Sequence, residues 1–494
     1  MITGTLSFKG IEFTFVLEQE ELHLIPPKEK YNTIEFEWKL KKLGPDGPYV
    51  PADPIYVTES QLVGKCNETG RVIVFLPKQG ADLGFHNNIV IIELVAYVQF
   101  DLGAERIDRA ELTCSELNYI YRVNQGVSYN MGTESDNNGI IGIETPDYEY
   151  TTTEKQSLNV FGKQVSMCYG ISRTIRLDVT QTPVSLASSL VFDFEGTDDF
   201  SFIFNLYRIA RSFIRFCCYR RNIHISNVVL SSPYKDVAHL NVATMHIFKQ
   251  EGEVEEEPLK KGRFIKQDYL CGKEGRIITD IANNRLYMRH WPDSYESSKH
   301  INEARFVMIT AAFEWEFKRL YPNGIKKSEK TIIAEDKAIG NLNNLANNSK
   351  GKEKRIYKRL AGYVKSDSLQ PEISHVGKEL AGIITVFGEH LYRLNGEDLN
   401  YNEMGKRLAK QRNDFAHGNL DKDFDGLAFL DLIFMERIIY AMQLKYYGVE
   451  DKKIQKSIND LFRSGIMIKY LLNIRHLAET CRAGGLPDVD HRQA

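Results

Sequence analysis

The sequence predicts an α+β protein with more than one domain, in which a β-rich, antiparallel sandwich-like N-terminal region precedes an all-α helical bundle. Two observations carry this prediction. Apolar residues recur at every second position in many short runs of the first part, and they recur every three or four residues after Trp291-Pro292-Asp293. A chain of 494 residues is long enough for about two to four domains.

The β-rich prediction rests on alternation and on turns. Apolar and charged residues alternate from Ile34 to Leu40, and this pattern predicts a strand. Residues 5–17 predict two strands joined by a turn at Lys9-Gly10. Further runs with strand character are 71–75, 88–100 and 173–180. Because turn-rich segments separate the runs, we expect an antiparallel sandwich or a barrel-like domain.

One helix is predicted within this region, over residues 205–221. Arg208, Arg211 and Arg215 form a stripe along it at helical spacing. Such a stripe can contact a phosphate backbone, and it is equally typical of the solvated face of an amphipathic helix. The sequence leaves both interpretations open.

The C-terminal region predicts amphipathic helices joined by short turns, which together form a bundle. The predicted helices are 301–320, a helix from Pro371 to about Arg393, a helix capped by Asn402, 427–447 and a last segment within 454–482. The predicted division of the chain is a β-rich domain at 1–195, a mixed α/β extension at 196–292, a helical domain at 293–482 and a flexible tail at 483–494.

The chemistry of the chain concentrates in Arg412-Asn413-Asp414-Phe415-Ala416-His417, just before Gly418, where a helix would end. Arginine is a permanent planar cation that grips phosphate with two parallel hydrogen bonds. Histidine is the side chain best suited to proton transfer near neutral pH. Together they supply charge stabilisation and proton transfer for RNA cleavage, with the ribose 2′-hydroxyl as nucleophile and no metal or other cofactor required.

This pattern, near the end of a helix in an all-helical region, resembles the HEPN superfamily of ribonucleases. The upstream helix 301–320 carries Glu314 in an apolar frame and resembles the first helix of the ApeA-like branch. The resemblance implies a cytoplasmic endoribonuclease of bacterial anti-phage defence, or abortive infection, which is held inactive until infection. It also implies a homodimer through the helical domain, and an N-terminal region that senses a phage-derived trigger.

Each residue of the motif then has an expected role. His417 would act as general base on the 2′-hydroxyl or as general acid on the leaving 5′-oxygen, and Arg412 would stabilise the charged transition state. Asn413 would orient His417 or the phosphate, and Glu314 would support Arg412. By the resemblance, the products would carry a 2′,3′-cyclic phosphate and a 5′-hydroxyl.

The spacing of the motif also favours a dimer. On a regular helix, Arg412 and His417 lie about 140° apart, so one straight helix does not aim both at the same phosphate. Two copies facing each other would solve this problem, and so would a helix that loosens at Gly418. The composite cleft that the resemblance implies agrees with the first solution.

A second candidate site is the densest basic cluster of the chain, which surrounds Tyr357. Basic side chains with an interleaved aromatic ring hold single-stranded RNA by charge and stacking. A soluble, lysine-rich segment leading into a helix fits this cluster equally well. The residues expected to bind RNA are Lys352, Lys354, Arg355, Lys358 and Arg359.

Composition and simple sequence patterns argue against several other classes of protein. The net charge of −3 gives no global sign of nucleic-acid binding, so an RNA site must be a local patch. The seven cysteines form no Cys-x-x-Cys pair, which argues against a disulfide framework or a zinc site. No signal-peptide pattern begins the chain, and no apolar run approaches the ~18 residues of a membrane span. We therefore expect a cytoplasmic protein without a membrane partner.

Two alternatives remain open at this point. Arg412 can be an ordinary surface residue, and His417 can simply interact with a helix dipole. The chain would then be a non-catalytic HEPN module that binds RNA or protein. Otherwise it would be a dimeric scaffold whose β domain binds a protein.

Overall fold

The structure is a computed structural model. It describes residues 1–43, 45, 47–103, 106–131, 141–144, 152–175, 180, 184–235, 238–250, 255–270, 272–365, 369–416 and 426–466. The chain divides into two compact units. The β-rich unit comprises Met1–Lys261, Glu274–Arg285 and Pro292–Tyr295, and the helical unit comprises Gly262–Lys273, Leu286–Trp291 and the chain from Glu296 onward.

The fold class predicted from the sequence is confirmed, because the strands precede the helical unit and all of their pairings are antiparallel. The strands of the described residues are β1 (Ile2–Phe8), β2 (Ile11–Glu18), β3 (Glu21–Ile25), β4 (Leu40–Lys42), β5 (Tyr49–Pro51), β6 (Leu62–Cys66), β7 (Val72–Pro77), β8 (Gly84–His86), β9 (Ile89–Phe100), β10 (Ile107–Thr113), β11 (Ser128–Met131), β12 (Ile141–Glu144), β13 (Gln156–Val160), β14 (Lys163–Ile175), β15 (Val184–Thr197), β16 (Asn227–Tyr234) and β17 (Ala238–Ile247).

Helices occur in both units. The helices of the described residues are α1 (Ile34–Lys39), α2 (Leu117–Ile120), α3 (Phe200–Cys218), α4 (Glu256–Lys260), α5 (Gln267–Leu270), α6 (Glu274–Ala282), α7 (Glu303–Leu320), α8 (Glu329–Asn348), α9 (Gly351–Lys365), α10 (Leu369–Glu379), α11 (Ala381–Leu394), α12 (Tyr401–Ala416), α13 (Gly426–Tyr446) and α14 (Asp451–Leu461). Of these, α5 and α7 to α14 belong to the helical unit.

Six strands of the β-rich unit close into a barrel. The order β3-β2-β1-β6-β7 returns to its start because β3 and β7 both pair with the long strand β9. Alternate residues face the interior, where Phe15 and Phe75 meet edge to face with ring centroids 5.0 Å apart. The first hairpin is confirmed, since Lys9 and Gly10 both have positive φ at the turn between β1 and β2.

The predicted strand from Ile34 to Leu40 is wrong, because residues 34–39 form helix α1. Ile34 and Trp38 are four residues apart, so a helix also places them on one face. The Trp38 ring contacts the rings of Phe8 and Phe13, while an ion pair of 2.6 Å joins Lys39 to Glu35 on the outside. Six residues are too few to distinguish a period of two from a helical period when their contacts are unknown.

The sheet continues beyond the barrel from β9 through β17, β16, β10, β15 and β14 to β13. Helix α3 confirms the predicted helix in this region and buries Leu206, Phe213 and Phe216. Two arginines of its stripe bind the chain that follows the helix. Arg211 Nε donates to the Ile223 carbonyl at 2.7 Å, and Arg215 Nε donates to the Arg221 carbonyl at 2.6 Å.

Helix α13 is the centre of the helical unit, where it contacts α7, α11, α12 and α14. Its stripe of Leu430, Phe434, Ile438 and Met442 is buried, as the sequence predicted. The expected helix from Pro371 to Arg393 consists of two helices, α10 and α11, which are separated at Leu380. The last helical segment was predicted within residues 454–482. In the described part of that range, residues 454–461 belong to helix α14.

Gly4 of β1 provides a test of barrel packing. A Cβ at this position would lie 2.0 Å from the Lys65 carbonyl oxygen and 2.5 Å from the Phe15 ring. We expect Gly4→Ala to lower the free energy of unfolding by about 2 kcal/mol, because the barrel must shift to admit the methyl group. Thermal and urea unfolding of the full chain would measure this loss.

Gly103→Ala is the matched control, since nothing lies within 4 Å of a Cβ built there. Equal midpoints for the two variants would show that the interior near Gly4 is not tightly packed.

Candidate functional site

Helix α12 carries the motif, and its inner face is anchored. Met404, Leu408 and Gln411 are buried, and the Phe415 ring meets Phe306 of α7 edge to face at 5.3 Å. The predicted cap at Asn402 is wrong by two residues. The Asn400 side chain accepts hydrogen bonds from the backbone N–H groups of residues 402 and 403 at 3.0 and 3.2 Å. The side chain of Asn402 instead accepts a hydrogen bond from Gln370.

A buried carboxylate fixes α12 against the centre of the unit. Asp431 of α13 is fully buried and accepts two hydrogen bonds of 2.7 Å from the Arg407 guanidinium of α12. The hydroxyl of Tyr392 in α11 donates to the same carboxylate. Burial and the Asp431 charge raise the pKa of Tyr392 well above its usual value, so this hydroxyl stays protonated as a donor. One carboxylate therefore joins three helices.

The cluster of Arg407, Asp431 and Tyr392 was not predicted from the sequence. A signal for it exists, because Asp431 interrupts the apolar run from Leu427 to Met435. A carboxylate in such a run must find a cationic or hydrogen-bonding partner when the helix is buried. The sequence does not identify the partner, since several arginines lie upstream at similar distances along the chain.

Arg412 and Glu314 are in contact, as expected from the sequence. The guanidinium of Arg412 on α12 forms an ion pair with the Glu314 carboxylate on α7, although 98 residues separate them in the chain. The Arg412 side chain remains 34% exposed and the Glu314 side chain 25% exposed. A guanidinium has five N–H donors and a carboxylate takes at most two in a fork, so Arg412 can still bind an anion from solvent.

The remaining motif residues fall into two groups. Asn413 is exposed on α12, next to Arg412. His417 and Gly418 lie outside the described residues, as does the link from there to α13. The structure therefore brings Arg412 and Glu314 together and shows Asn413 beside them, and the position of His417 relative to them stays a prediction.

The basic cluster lies on α9, which packs against α8. Lys352, Arg355, Lys358 and Arg359 are exposed there, and Lys354 is half-buried. Tyr357 is half-buried and its hydroxyl donates to Glu353 at 3.3 Å, so its ring is less accessible than the stacking hypothesis requires. The four exposed cations remain available to a polyanion.

A cavity of about 380 Å³ opens at the other end of α12, beside Tyr401 and α11. Its lining contains the carboxylates of Glu389, Glu397 and Asp398 against the single guanidinium of Arg393. An excess of negative charge repels a phosphodiester, so this cavity does not extend the candidate RNA site.

In the described parts of the chain, no group of three or more His, Cys, Asp or Glu side chains is placed to hold a metal ion. Among the same residues, no helix combines the length and the apolar content that crossing a bilayer requires. Comparisons of the chain with protein-family models, with curated proteins and with solved structures find no match.

The Asp431 cluster gives a stability test. We expect Asp431→Asn to destabilise the helical unit by about 2 kcal/mol, because it leaves the partly buried Arg407 charge without its carboxylate partner. Urea unfolding would measure the loss, and hydrogen–deuterium exchange would show it as faster exchange along α12.

Lys406→Ala is the control on the same helix, because Lys406 makes only an exposed ion pair with Glu403. If both variants exchange at the wild-type rate, Asp431 does not hold α12 in place.

Proposed function

We propose that this chain is a metal-independent endoribonuclease that cleaves RNA through attack of the ribose 2′-hydroxyl. The observation that carries the proposal is the ion pair between Arg412 and Glu314, which holds a partly exposed arginine side chain in the last turns of α12. The resemblance of the motif to HEPN ribonucleases adds the expectation of a role in bacterial anti-phage defence. Under this proposal the β-rich unit is the sensor or regulator that responds to a phage-derived trigger.

The Glu314 carboxylate gives Arg412 a defined direction. An arginine on a solvated helix face samples many rotamers, and fixing it before substrate arrives lowers the entropic cost of binding phosphate. The free N–H groups of Arg412 then meet the non-bridging oxygens of the scissile phosphate, where negative charge increases in the transition state. Glu314 acts as a positioning residue in this scheme.

The proton transfers are assigned to His417. The proton of the 2′-hydroxyl passes to one imidazole as the 2′-oxygen attacks phosphorus, and a second imidazole protonates the leaving 5′-oxygen. The products are a 2′,3′-cyclic phosphate and a 5′-hydroxyl. Two histidines are needed in one turnover, which is why the proposal includes a homodimer with a composite cleft. Asn413 orients the imidazole or the phosphate.

The exposed cations of α9 supply the proposed grip on RNA. Lys352, Arg355, Lys358 and Arg359 lie within about 120° on one side of the helix, which matches the negative backbone of a single strand. Contacts between these cations and the phosphate backbone carry no sequence specificity, so selection of the RNA target rests on other parts of the cleft.

The second candidate function is a non-catalytic module that binds RNA or protein. It is favoured by the exposed apolar side chains of the α8–α9 pair, since a nuclease site does not need them. This candidate differs from the first in being indifferent to changes at Arg412 and His417.

The proposal predicts a defined growth phenotype. Expression of the wild-type chain in a bacterial host should stop growth or degrade RNA under phage challenge, while Arg412→Ala and His417→Ala at matched levels should not. Lys406→Ala, on the exposed side of α12, should behave as wild type. Total RNA and colony counts from the four cultures measure both effects. Intact RNA in every culture during infection by several phages would favour the binding module.

The chemistry is tested with purified protein and a labelled single-stranded RNA. Cleavage should persist in excess chelator, and one deoxyribose at the cleaved position should abolish it, because the 2′-hydroxyl is the nucleophile. The 5′ fragment should carry a cyclic phosphate by mass spectrometry. Arg412→Ala should reduce kcat/KM by about 10² or more. Loss of cleavage in chelator would contradict the proposed mechanism.

A further inference from the structure

Helices α8 and α9 form a hairpin that exposes an unusual amount of apolar surface. Only Ser349 and Lys350 link the two helices, which pack along each other. Six of the 21 large apolar side chains that are exposed among the described residues lie within these 37 positions. They are Ile332, Ile333, Leu345, Ile356, Leu360 and Tyr363.

Four of these side chains belong to one face. On α9, Ile356, Leu360 and Tyr363 fall within about 60° of a regular helix. On α8, Leu345 falls within about 40° of Ala334 and Ala338. Relative to the side by which each helix packs on the other, marked by the buried Ala346 and Ala361, the α8 set lies about 80–120° before that side and the α9 set about 100–160° before it. Because the helices run in opposite directions, offsets in the same rotational sense place both sets on the same side of the hairpin.

We call this side the hairpin face and define it by Leu345, Ile356, Leu360 and Tyr363. These side chains are 46%, 46%, 41% and 63% exposed. Exposed apolar area shared by two helices is typical of a surface on which another helix packs.

The charges that border the hairpin face are positive, although the carboxylate of Glu353 lies between its two apolar stripes. Lys352 and Arg359 border it on the α9 side, and Lys330 and Lys337 border it on the α8 side, as their angular positions on the two helices require. The acidic residues Glu329 and Asp336 project from the opposite side. Residues 329–365 contain nine Lys or Arg against four Asp or Glu, a charge of +5 in a chain of net charge −3. The occupant of this face must therefore bring negative charge to its edges.

We propose that the hairpin face binds an amphipathic helix of a partner protein, with apolar residues along its centre and Glu or Asp on both flanks. A second copy of the hairpin would bring cations against the same cations. A membrane surface fits less well, because the exposed carboxylate of Glu353 lies between the two apolar stripes and would enter the lipid, whereas a partner helix can place a polar side chain opposite it. RNA fits less well, because Ile and Leu side chains form the centre of the hairpin face and the cations Lys352 and Arg359 lie only at its edge.

The interaction would combine two contributions. Apolar burial of Ile356, Leu360 and Tyr363 supplies affinity, since each large side chain removed from water stabilises the complex. The border of Lys and Arg selects acidic helices and raises the association rate at low salt. Neither contribution involves Arg412 or Glu314, so the inference does not depend on the proposed nuclease activity.

The test uses a fluorescein-labelled synthetic helix of three heptads, with Leu along one stripe and Glu on both flanks, and its counterpart with Lys on the flanks. Fluorescence anisotropy with the full chain measures both affinities. We expect the Glu peptide to bind at least about tenfold more tightly than the Lys peptide, and Leu360→Glu to weaken its binding at least about tenfold.

Ile333→Glu is the matched control. Ile333 is 62% exposed on the same hairpin but points away from the hairpin face, so this change should leave the Kd of the Glu peptide unchanged. Circular dichroism of both variants checks that the helices persist.

Several outcomes would overturn the proposal. Equal binding of the two peptides would exclude selection by charge, and equal effects of Leu360→Glu and Ile333→Glu would exclude the hairpin face. Binding to phosphatidylglycerol vesicles that Leu360→Glu abolishes, with no peptide binding, would make the face a membrane contact. A dimer that Leu360→Glu dissociates in sedimentation would make a second copy its occupant. No binding to either peptide would contradict the proposal.

Discussion

The carboxylate of Asp431 is the constraint on which the geometry of the candidate site depends. It is fully buried and joins α13 to α12 through Arg407 and to α11 through Tyr392. A buried charge is stable only when its hydrogen-bonding capacity is filled, so this cluster accepts few alternative arrangements of the three helices. Because Arg407 and Arg412 share α12, fixing the first also fixes where the second can reach.

The two carboxylate–arginine pairs of α12 differ in their exposure to solvent. The more buried pair stabilises the fold, and the more exposed pair suits the proposed chemistry. In the Asp431–Arg407 pair the carboxylate is fully buried and the arginine side chain is 25% exposed, whereas in the Glu314–Arg412 pair the carboxylate is 25% and the arginine side chain 34% exposed. Solvent access weakens an ion pair as a source of stability. It also leaves N–H donors for an anionic ligand, which suits a residue that orients phosphate.

The α8–α9 hairpin presents two surfaces of different chemistry. Its exposed cations suit a polyanion, and its hairpin face suits an acidic amphipathic helix. One short segment can thus serve RNA binding and partner binding, and the two surfaces share only Lys352 and Arg359 at their common edge. A partner seated on the hairpin face would neutralise Lys352 and Arg359 at its edge and so weaken RNA binding by α9. This coupling gives a physical route by which a partner could regulate an RNA-directed activity.

The sequence by itself determined the order of strands before helices, the Lys9-Gly10 hairpin, α3, α7 and the buried stripe of α13, because periodicity and turn residues act locally. It also singled out Arg412 with Glu314. Tertiary structure alone decided that residues 34–39 are a helix, that β9 closes a barrel, and that Asp431 selects Arg407. These outcomes depend on contacts between residues far apart in the chain, for which a local pattern carries no information.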